Sequence, residues 1–248
     1  MIKIKTKEEI GYMREAGKIL AACHQEIRKM IQPGISSWEI EEFVELFLKN
    51  AGATPEQKGY QGYPYATCAS VNDVICHGFP KKDILQEGDI VTIDMVVNLN
   101  GWLADSAWTY PVGQISAQAE HLLKITEQSL FIGIEQAKIG NRVSDISHAI
   151  QKHAETAGLA VVREFTGHGI GQDMHEDPFV PHYGPAGKGA KLKEGMVITI
   201  EPMLNIGARY AQIDADGWTA RTTDGSLSAQ YEHTIAITAE GPFILTQL

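Results

Sequence analysis

Two copies of one short phrase in the sequence each end on an acidic residue. The first copy, EGDIVTID, covers residues 87–94 and ends on Asp94, and the second, EGMVITIE, covers residues 194–201 and ends on Glu201. A histidine next to glycine precedes each copy, namely His77 in CHG and His168 in GHG. Two histidines and two strand-end acids in a repeated frame predict one site that is assembled from a duplicated unit.

Two more acids occur in segments that are otherwise apolar: Asp105 in GWLADSAW and Glu232 in AQYEHTIAI. Burying an ionised carboxylate without a partner is costly. No Lys or Arg alternates with these acids, and a single nearby cation, Arg221, cannot neutralise four of them. Four carboxylates and one neutral imidazole would instead balance two divalent cations. The predicted metal ligands are Asp94, Asp105, His168, Glu201 and Glu232.

The types of these residues indicate which metal chemistry to expect. A set of oxygen ligands with one histidine favours Mn, Fe, Co or Zn over a metal that selects thiolates. Bridging carboxylates suit a metal pair about 3.5–4 Å apart, where a shared water becomes a nucleophile. For any one acid, a strand-end cap or a surface charge is the simpler interpretation. Five such residues in a duplicated frame favour the metal site.

The first half of the chain is predicted to begin with two helices. Thr6 and Glu9 form a T-x-x-E capping box, so a helix should begin there and end before the Pro-Gly pair at 33–34. Ser36 or Ser37 caps a second helix that ends at Gly52. Strands and loops should then fill residues 54–110. The pattern NLNG at 98–101 predicts a hairpin turn that would bring Asp94 and Asp105 onto paired strands.

The second half repeats this order. Helices are predicted at about 117–138 and 143–157, followed by strands at 161–166, 196–204, 219–222 and 231–238. We therefore expect an α+β fold in which helices cover a mostly antiparallel curved sheet. The expected organisation is one catalytic domain, residues 1–248, with two similar halves at about 7–112 and 117–240.

Composition and charge exclude several classes of protein. The 248 residues are 44% hydrophobic and carry a net charge of −10, and no long basic run occurs. Stable nucleic-acid binding is therefore not expected. No apolar stretch is long enough to span a membrane, and the N-terminus does not have the pattern of a signal peptide. The three cysteines form no C-x-x-C, which favours a reducing cytoplasm over a disulfide framework.

Nearly the whole chain resembles the type I methionine aminopeptidases, the short bacterial form of the pita-bread metallopeptidase family. The resemblance is carried by GYQGYP, CASVNDVICHG, GDIVTID, TGHGIG, HEDP, GMVITIEP and YEHT. It implies the pita-bread fold and the same five metal ligands. The long insertion of the type II form between His168 and Glu201 is absent, and so is an N-terminal zinc-finger extension.

The activity implied by the resemblance is removal of the N-terminal methionine from nascent proteins and peptides whose second residue is small. A water activated by two divalent ions (Co, Mn, Fe or Zn) would attack the first peptide bond. Glu201 would also shuttle the proton, His175 would stabilise the oxyanion, and His77 would contact the amide nitrogen. The α-amine of the substrate would reach a metal or Asp94. The remaining histidines, including His182, are interpreted as packed or exposed.

The resemblance also implies a substrate pocket, further ligands and partners. Two pocket positions depart from the usual residues, since Met174 stands where Phe is common and Gln57 where Cys is common. A monovalent cation would bind near Asn72, Val74 and Ser228. The expected partners are nascent polypeptide N-termini and, transiently, the ribosome, and the expected state is a monomer. The substrate-binding residues would be Tyr60, Tyr63, Cys68, His77, Met174, His175 and Trp218.

Two alternatives remain open at the level of sequence. A proline-directed exopeptidase, such as prolidase or aminopeptidase P, shares the five ligands but usually carries a large additional N-terminal domain, for which 248 residues leave no room. A non-catalytic binding protein on the same fold is the other alternative. Such proteins typically lose ligands, whereas all five are present here.

Overall fold

The computed structural model describes residues 1–248, and its four helices form two pairs. Helix α1, Lys7–Met30, begins at the predicted capping box, in which Thr6 accepts from the Glu9 backbone and Glu9 accepts from the Thr6 backbone. Helix α2, Ser37–Asn50, begins at an equivalent box formed by Ser36 and Glu39. Helices α3, Ala117–Gln136, and α4, Val143–Thr156, form the second pair. All four predicted helices are confirmed to within about two residues.

Fifteen strands, most of them short, and a 3₁₀ turn at Tyr60–Gly62 make up the rest of the regular secondary structure. The strands of the first half are β1 (Thr54–Pro55), β2 (Cys68–Val71), β3 (Val74–Cys76), β4 (Ile90–Leu99) and β5 (Trp102–Pro111). Those of the second half are β6 (Ala160–Val161), β7 (Gly167–Gly169), β8 (Glu176–Val180), β9 (Val197–Ile200), β10 (Met203–Asn205), β11 (Ala211–Ile213), β12 (Ala220–Thr222), β13 (Ser228–Gln230), β14 (His233–Thr238) and β15 (Gly241–Ile244).

The strands form four sheets, and every pairing between them is antiparallel. In the first half, β4 lies between β2 and β5 and also pairs with β1. In the second half, the largest sheet has the order β15-β14-β9-β7-β8. Two three-stranded sheets, β13-β10-β6 and β11-β12-β3, complete the set. The α+β class with antiparallel strands is confirmed.

Hydrophobic side chains separate a helix-facing side of the strands from a side that carries acids. One cluster packs α1 and α2 against alternate residues of β4, such as Ile93 and Met95. The residues between them, Asp94 and Val96, therefore point away from the helices. A second cluster packs α3 and α4 against β9 and β14. Trp108 of β5 lies against both clusters.

Three strand predictions differ from the structure at the places where the chain changes sheets. The predicted strand at 161–166 is wrong beyond Val161, because after the Val162 N–H donates to the Met203 carbonyl the chain leaves the sheet. The predicted strand at 196–204 is interrupted after Ile200. Pro202, which has no N–H to donate, separates β9 from β10. The predicted strand at 231–238 begins only at His233, so Glu232 directly precedes it. Glu201 directly follows β9, as expected for a strand-end acid, whereas the same expectation is wrong for Asp94, which lies in the middle of β4.

No helix is both long and apolar enough to span a membrane.

Candidate metal centre

The five predicted metal ligands line one cavity of about 260 Å³. The first half of the chain contributes the hairpin acids, and the second half contributes the histidine and two glutamates. No Lys or Arg is among the residues that line the cavity. The five ligands that share it are Asp94, Asp105, His168, Glu201 and Glu232.

The β4–β5 hairpin places its two acids on the same face. Asp94 is opposite Ala107, and Asp105 is opposite Val96, so the two acids are diagonal neighbours across the strand pair. This arrangement follows from the turn at 98–101, where Asn100 and Gly101 have φ of 54° and 85°. Diagonal neighbours on one face lie close enough for longer side chains to interact. A cation between two acids in this position would offset their repulsion.

His168 lies at the centre of β7, and its side chain faces an acid from each half of the chain. Its Nε2 is 3.7 Å from Asp105 Oδ2 and 3.6 Å from Glu201 Oε1. Its Nδ1 is 3.0 Å from the Gly169 carbonyl oxygen, to which an Nδ1–H would donate. Burial and the neighbouring His175 lower the pKa of His168 to about 3. The imidazole is therefore neutral, and its Nε2 lone pair is available to a metal.

The glycines on both sides of His168 allow neighbouring strands to approach the site closely. A Cβ at position 167 would lie 2.5 Å from the Thr199 carbonyl oxygen, and one at position 169 would lie 2.2 Å from the Asp177 carbonyl oxygen. Backbone atoms cannot yield at such distances. The GHG sequence thus lets β7 fit between β8 and β9 with His168 directed into the cavity.

Thr199 holds two of the predicted ligands at once, and sequence reasoning missed it. Its hydroxyl oxygen accepts from the His168 backbone N–H at 3.0 Å and donates to Glu201 Oε1 at 2.7 Å. The signal was present, because Thr stands two residues before the acid in both repeated phrases, as Thr92 and Thr199. His182, for which no role was predicted, accepts from the Glu201 backbone N–H at 3.2 Å.

Glu232 and Asp105 are tied together through the backbone. The Glu232 N–H donates to the Ala107 carbonyl at 2.8 Å, which joins the start of β14 to β5. Thr234 reinforces this junction, since its hydroxyl accepts from the Asp105 N–H and donates to the Asp105 carbonyl. The two acids therefore keep a fixed separation even though they are far apart in the sequence.

Electrostatics at the cavity favour a cation. Burial raises the pKa of Asp94 to about 7 and that of Glu201 to about 8. Burial, reinforced by the surrounding acids, also raises the pKa of Asp105 and Glu232 well above the usual range. Asp105 Oδ1 and Glu232 Oε1 are buried and have no hydrogen-bond partner. Orphaned carboxylate oxygens of this kind are suited to a divalent metal ion.

The donor set fits such an ion. Ligand atoms of Asp105, His168 and Glu232 all lie within 4.8 Å of one another, and all three residues are buried. Asp94 and Glu201 lie outside this tightest group but line the same cavity. Oxygen atoms with one imidazole nitrogen are the ligands that borderline divalent metals prefer. This cluster supports divalent metal binding.

The two further predicted histidines stand at the edge of the metal cluster. The His175 ring lies 4.4 Å from the His168 ring, and its Nδ1 is 2.8 Å from the Tyr60 hydroxyl. His77, whose φ is 56°, packs edge-on against Phe165 at 5.4 Å. Burial lowers the pKa of His77 to about 4 and also lowers the pKa of His175. Both rings are therefore neutral near pH 7.

Aromatic and sulfur-containing side chains form the rest of the cavity wall. Tyr63 is buried, and its ring meets the Trp218 ring edge-on at 5.1 Å. Cys68 and Met174 are buried beside them. The walls therefore offer apolar, polarisable contacts. All seven predicted substrate residues line the cavity, and so does Gln57, the other pocket position singled out from the sequence. The wall residues that were not predicted for this role are Gln61, Val96, Phe165, Thr166 and Met203.

The Gln57 side chain forms hydrogen bonds with the β4 backbone in the way that the backbone of a neighbouring strand would. Its side-chain oxygen accepts from the Val96 N–H at 3.0 Å, and its Nε2 donates to the Asp94 carbonyl at 3.4 Å. The same Nε2 also contacts Cys68 Sγ at 3.5 Å. All its polar atoms are thus engaged, so the buried amide does not make the pocket hydrophilic.

Two other predicted positions lie outside the cavity. Arg221, considered as a neutralising partner, instead pairs with Asp73 and Asp214, each at 2.8 Å. At the proposed monovalent-cation site, the Ser228 N–H donates to the Asn72 carbonyl at 2.9 Å, and Val74 begins the neighbouring strand β3. A cation there stays a prediction.

Comparisons with known proteins agree with this geometry. A model of the family described as metallopeptidase family M24 matches residues 11–239. Methionine aminopeptidase 1 of Bacillus subtilis is 53% identical over 248 residues, which is 100% of both chains. A crystal structure of methionine aminopeptidase from Thermotoga maritima superposes with a TM-score of 0.98 at 44% identity and covers 100% of both chains. Prolidase from Pyrococcus furiosus has a TM-score of 0.80 at 25% identity, and the match covers 99% of this chain but 65% of the prolidase.

Proposed function

This chain belongs to metallopeptidase family M24, and from this premise we propose that it removes the N-terminal methionine from proteins and peptides. It is a metallo-aminopeptidase, a hydrolase with the pita-bread fold of its relatives. One observation carries the assignment: three buried carboxylates, the half-buried Asp94 and one imidazole share a cavity that holds no Lys or Arg and is walled by aromatic rings and sulfur. We propose a small second residue in the substrate and hydrolysis of the first peptide bond.

The metal requirement is argued from the same residues. We propose that Asp94, Asp105, His168, Glu201 and Glu232 hold two divalent ions, with Co, Mn, Fe and Zn as the candidates. When bound, such a pair polarises the scissile carbonyl and lowers the pKa of the attacking water. The charge of four carboxylates, together with the unpartnered oxygens of Asp105 and Glu232, supports two ions rather than one.

Proton transfer is assigned to Glu201. Because Thr199 already donates to its Oε1, the Oε2 atom remains to take a proton from the attacking water and to deliver it to the departing amide nitrogen. The backbone N–H of Glu201 donates to His182, which fixes the backbone position from which the carboxylate extends. This arrangement supports a base that moves a proton without a change of rotamer.

The two outer histidines are assigned to the scissile bond. The Tyr60 hydroxyl can donate to Nδ1 of His175, which leaves Nε2–H free to donate to the carbonyl oxygen as it becomes negative. His77 is neutral and packed between Phe165 and Trp218, and from there we propose that it contacts the amide nitrogen. The α-amine of the substrate would reach Asp94 or a metal.

The pocket for the substrate side chain fits a thioether. Tyr63 and Trp218 supply aromatic edges, and Cys68 and Met174 supply polarisable sulfur. A flexible, unbranched side chain such as methionine fills an irregular wall of this kind well and gains from contacts between sulfur and aromatic rings. We propose that Tyr60 closes the pocket beside His175, to which it is hydrogen-bonded.

The alternatives are less supported than methionine removal. A proline-directed exopeptidase is represented by a structure at 25% identity, whereas the methionine aminopeptidase relatives reach 53% over the full chain. A non-catalytic role is disfavoured because every predicted ligand lies in the cavity.

Several further features are proposals. We propose that residues 1–248 act as one catalytic domain and that the partners are the free N-termini of nascent polypeptides, with transient ribosome association and a monomeric enzyme. We propose the cytoplasm as its location, since Cys23, Cys68 and Cys76 are buried free thiols, which suits a reducing compartment.

The substrate assignment is tested by peptide release from the metal-loaded protein. The peptides Met-Ala-Ser, Leu-Ala-Ser, Met-Lys-Ser and Gly-Pro-Ala are offered separately, and the free amino acid is measured. We expect release of methionine from Met-Ala-Ser and little from the other three. Release of glycine from Gly-Pro-Ala would instead assign the chain to the proline-directed branch, and equal release from Met-Lys-Ser would refute the small second residue.

A further inference from the structure

Three cations at the start of the chain contact three acids next to the active site. We call residues 1–5 the N-terminal strap and residues 173–177 the DMHED segment. The Met1 ammonium lies 2.6 Å from Asp177 Oδ2, and Lys3 Nζ lies 2.5 Å from Asp173 Oδ2. Lys5 Nζ donates to Glu176 Oε2. Between these acids, the segment carries Met174 and His175, which line the cavity.

The pair formed by Lys5 and Glu176 differs from the other two because it is buried. The side chains of Lys5 and Glu176 are 5% and 3% exposed, whereas those of Lys3 and Asp173 are 54% and 69% exposed. Exposed ion pairs contribute little because water and salt screen them. Removing one member of a buried pair is costly. Without Lys5, Glu176 would keep only the contact of its Oε1 with the exposed Lys3 Nζ, at 3.2 Å. The buried pair is therefore the strong contact of the strap.

The strap is fixed to the sheet that carries the metal ligands. The Lys5 N–H donates to the Gly195 carbonyl at 2.7 Å, and the Gly195 N–H donates to the Ile237 carbonyl at 2.9 Å. Gly195 lies two residues before β9, the strand that leads to Glu201. Lys5 thus reaches from this rigid element across to Glu176 at the start of β8.

The ion pair packs closely against the backbone at Gly171. A Cβ at Gly171 would lie 2.7 Å from both Lys5 Cε and Glu176 Oε1. The pair consequently rests on the backbone of the loop between β7 and β8. His175, in contrast, makes one side-chain hydrogen bond, to Tyr60, and the residue is only partly shielded from solvent. Its position depends on the backbone that the adjacent Glu176 anchors.

We propose that Lys5 is a positioning residue, which acts through Glu176 to hold His175 where it meets the carbonyl oxygen of the substrate. Lys5 touches neither substrate nor metal ligand in this role. The inference rests on the proposed function for the part played by His175. The mechanical part, that Lys5 orders the DMHED segment, stands on the contacts alone.

Lys5→Met is the variant that tests the proposal, and Lys18→Met is its control, since Lys18 forms an exposed pair with Glu15 on α1. A displacement of a catalytic group by about 1 Å can cost on the order of 100-fold in rate. We expect kcat for Met-Ala-Ser to fall by about 10- to 100-fold in Lys5→Met, with KM and metal content unchanged. The control should keep its kcat within about twofold.

A double-mutant cycle separates positioning from a general structural effect. If Lys5 acts through His175, then Lys5→Met should lower kcat no further in a His175→Ala background. An equal further loss in that background would overturn the proposal. So would a kcat of Lys5→Met within about twofold of the unchanged protein.

A measurement independent of activity tests the mechanical part. Amide hydrogen exchange should become faster over residues 171–177 in Lys5→Met and stay unchanged in Lys18→Met. Unchanged exchange over 171–177 would refute the claim that Lys5 orders the DMHED segment.

If Lys5→Met does not fold, the double variant Lys5→Met/Glu176→Met takes its place, because it buries no unpaired charge and is expected to show the same losses. Failure of the unchanged protein to release methionine would refute the proposed function, while faster exchange in the variant would still support the strap.

Discussion

Replacing Asp94 by asparagine should stabilise the protein when metal is removed and destabilise it when metal is present. Burial raises the pKa of Asp94 from 3.8 to about 7. A shift of this size corresponds to roughly 4 kcal/mol between the charged and neutral forms. In the metal-free protein this energy is a cost of folding above pH 7, because the buried carboxylate is then ionised beside the other acids. Asparagine has nearly the same shape and no charge, so it avoids the cost.

The pH dependence has a definite sign. Because the folded pKa is raised above the unfolded pKa, the folded state binds the proton more tightly, and stability falls as pH rises from about 4 to about 7. About two of the three pH units of this fall lie between pH 5 and pH 8. The stability of Asp94→Asn relative to the unchanged protein should therefore increase by about 3 kcal/mol from pH 5 to pH 8. Urea unfolding of the metal-free proteins at both pH values measures this difference.

Asp224→Asn is the control for this measurement. Hydrogen bonds from the Ala208 and Ser226 backbones lower the pKa of Asp224 to about 2, so this carboxylate is ionised at both pH values. Its replacement should change stability equally at pH 5 and pH 8. With divalent metal added at pH 8, the unchanged protein should become more stable to urea than Asp94→Asn, since the variant has lost a ligand oxygen. If Asp94→Asn gained no stability relative to the unchanged protein between pH 5 and pH 8 without metal, the claim that burial raises the pKa of Asp94 would be refuted.

Four further substitutions test individual roles. Asp105→Ala or Glu201→Ala should abolish turnover in a protein that still folds; near-normal kcat with metal added would exclude a role of that carboxylate at the metal pair. His175→Ala should lower kcat by about 10²–10³, the usual effect of losing one oxyanion donor, and an unchanged rate would remove it from the mechanism. Met174→Phe should change KM or the preference between Met-Ala-Ser and Leu-Ala-Ser while the metal content, measured by atomic emission, stays constant. Loss of metal in that variant would show that the wall residue had been misassigned.

The local elements were predictable because short-range chemistry specifies them. The capping boxes of Thr6 and Ser36 fix where α1 and α2 begin, and the NLNG turn at 98–101 fixes the hairpin that brings Asp94 and Asp105 onto one face. The acids themselves were recognisable because charge in an apolar strand has no structural advantage without a partner.

The remaining features depend on contacts between distant parts of the chain. The strand predicted at 161–166 ends early because Met203, far away in sequence, provides the last backbone partner. Thr199 positions His168 only once β7 and β9 lie side by side, and the strap of residues 1–5 acquires its role from acids at 173–177. Periodicity and residue type along one segment contain no information on such pairings.

The most direct test of the central claim is methionine release from Met-Ala-Ser by the metal-stripped protein as Mn²⁺, Co²⁺, Fe²⁺ or Zn²⁺ is added back, with Asp105→Ala measured alongside. We expect no release without metal, release that rises with added metal and levels off near two ions per chain, and none from the variant at any metal concentration. Release by the fully stripped protein, or equal release from Asp105→Ala, would contradict the claim.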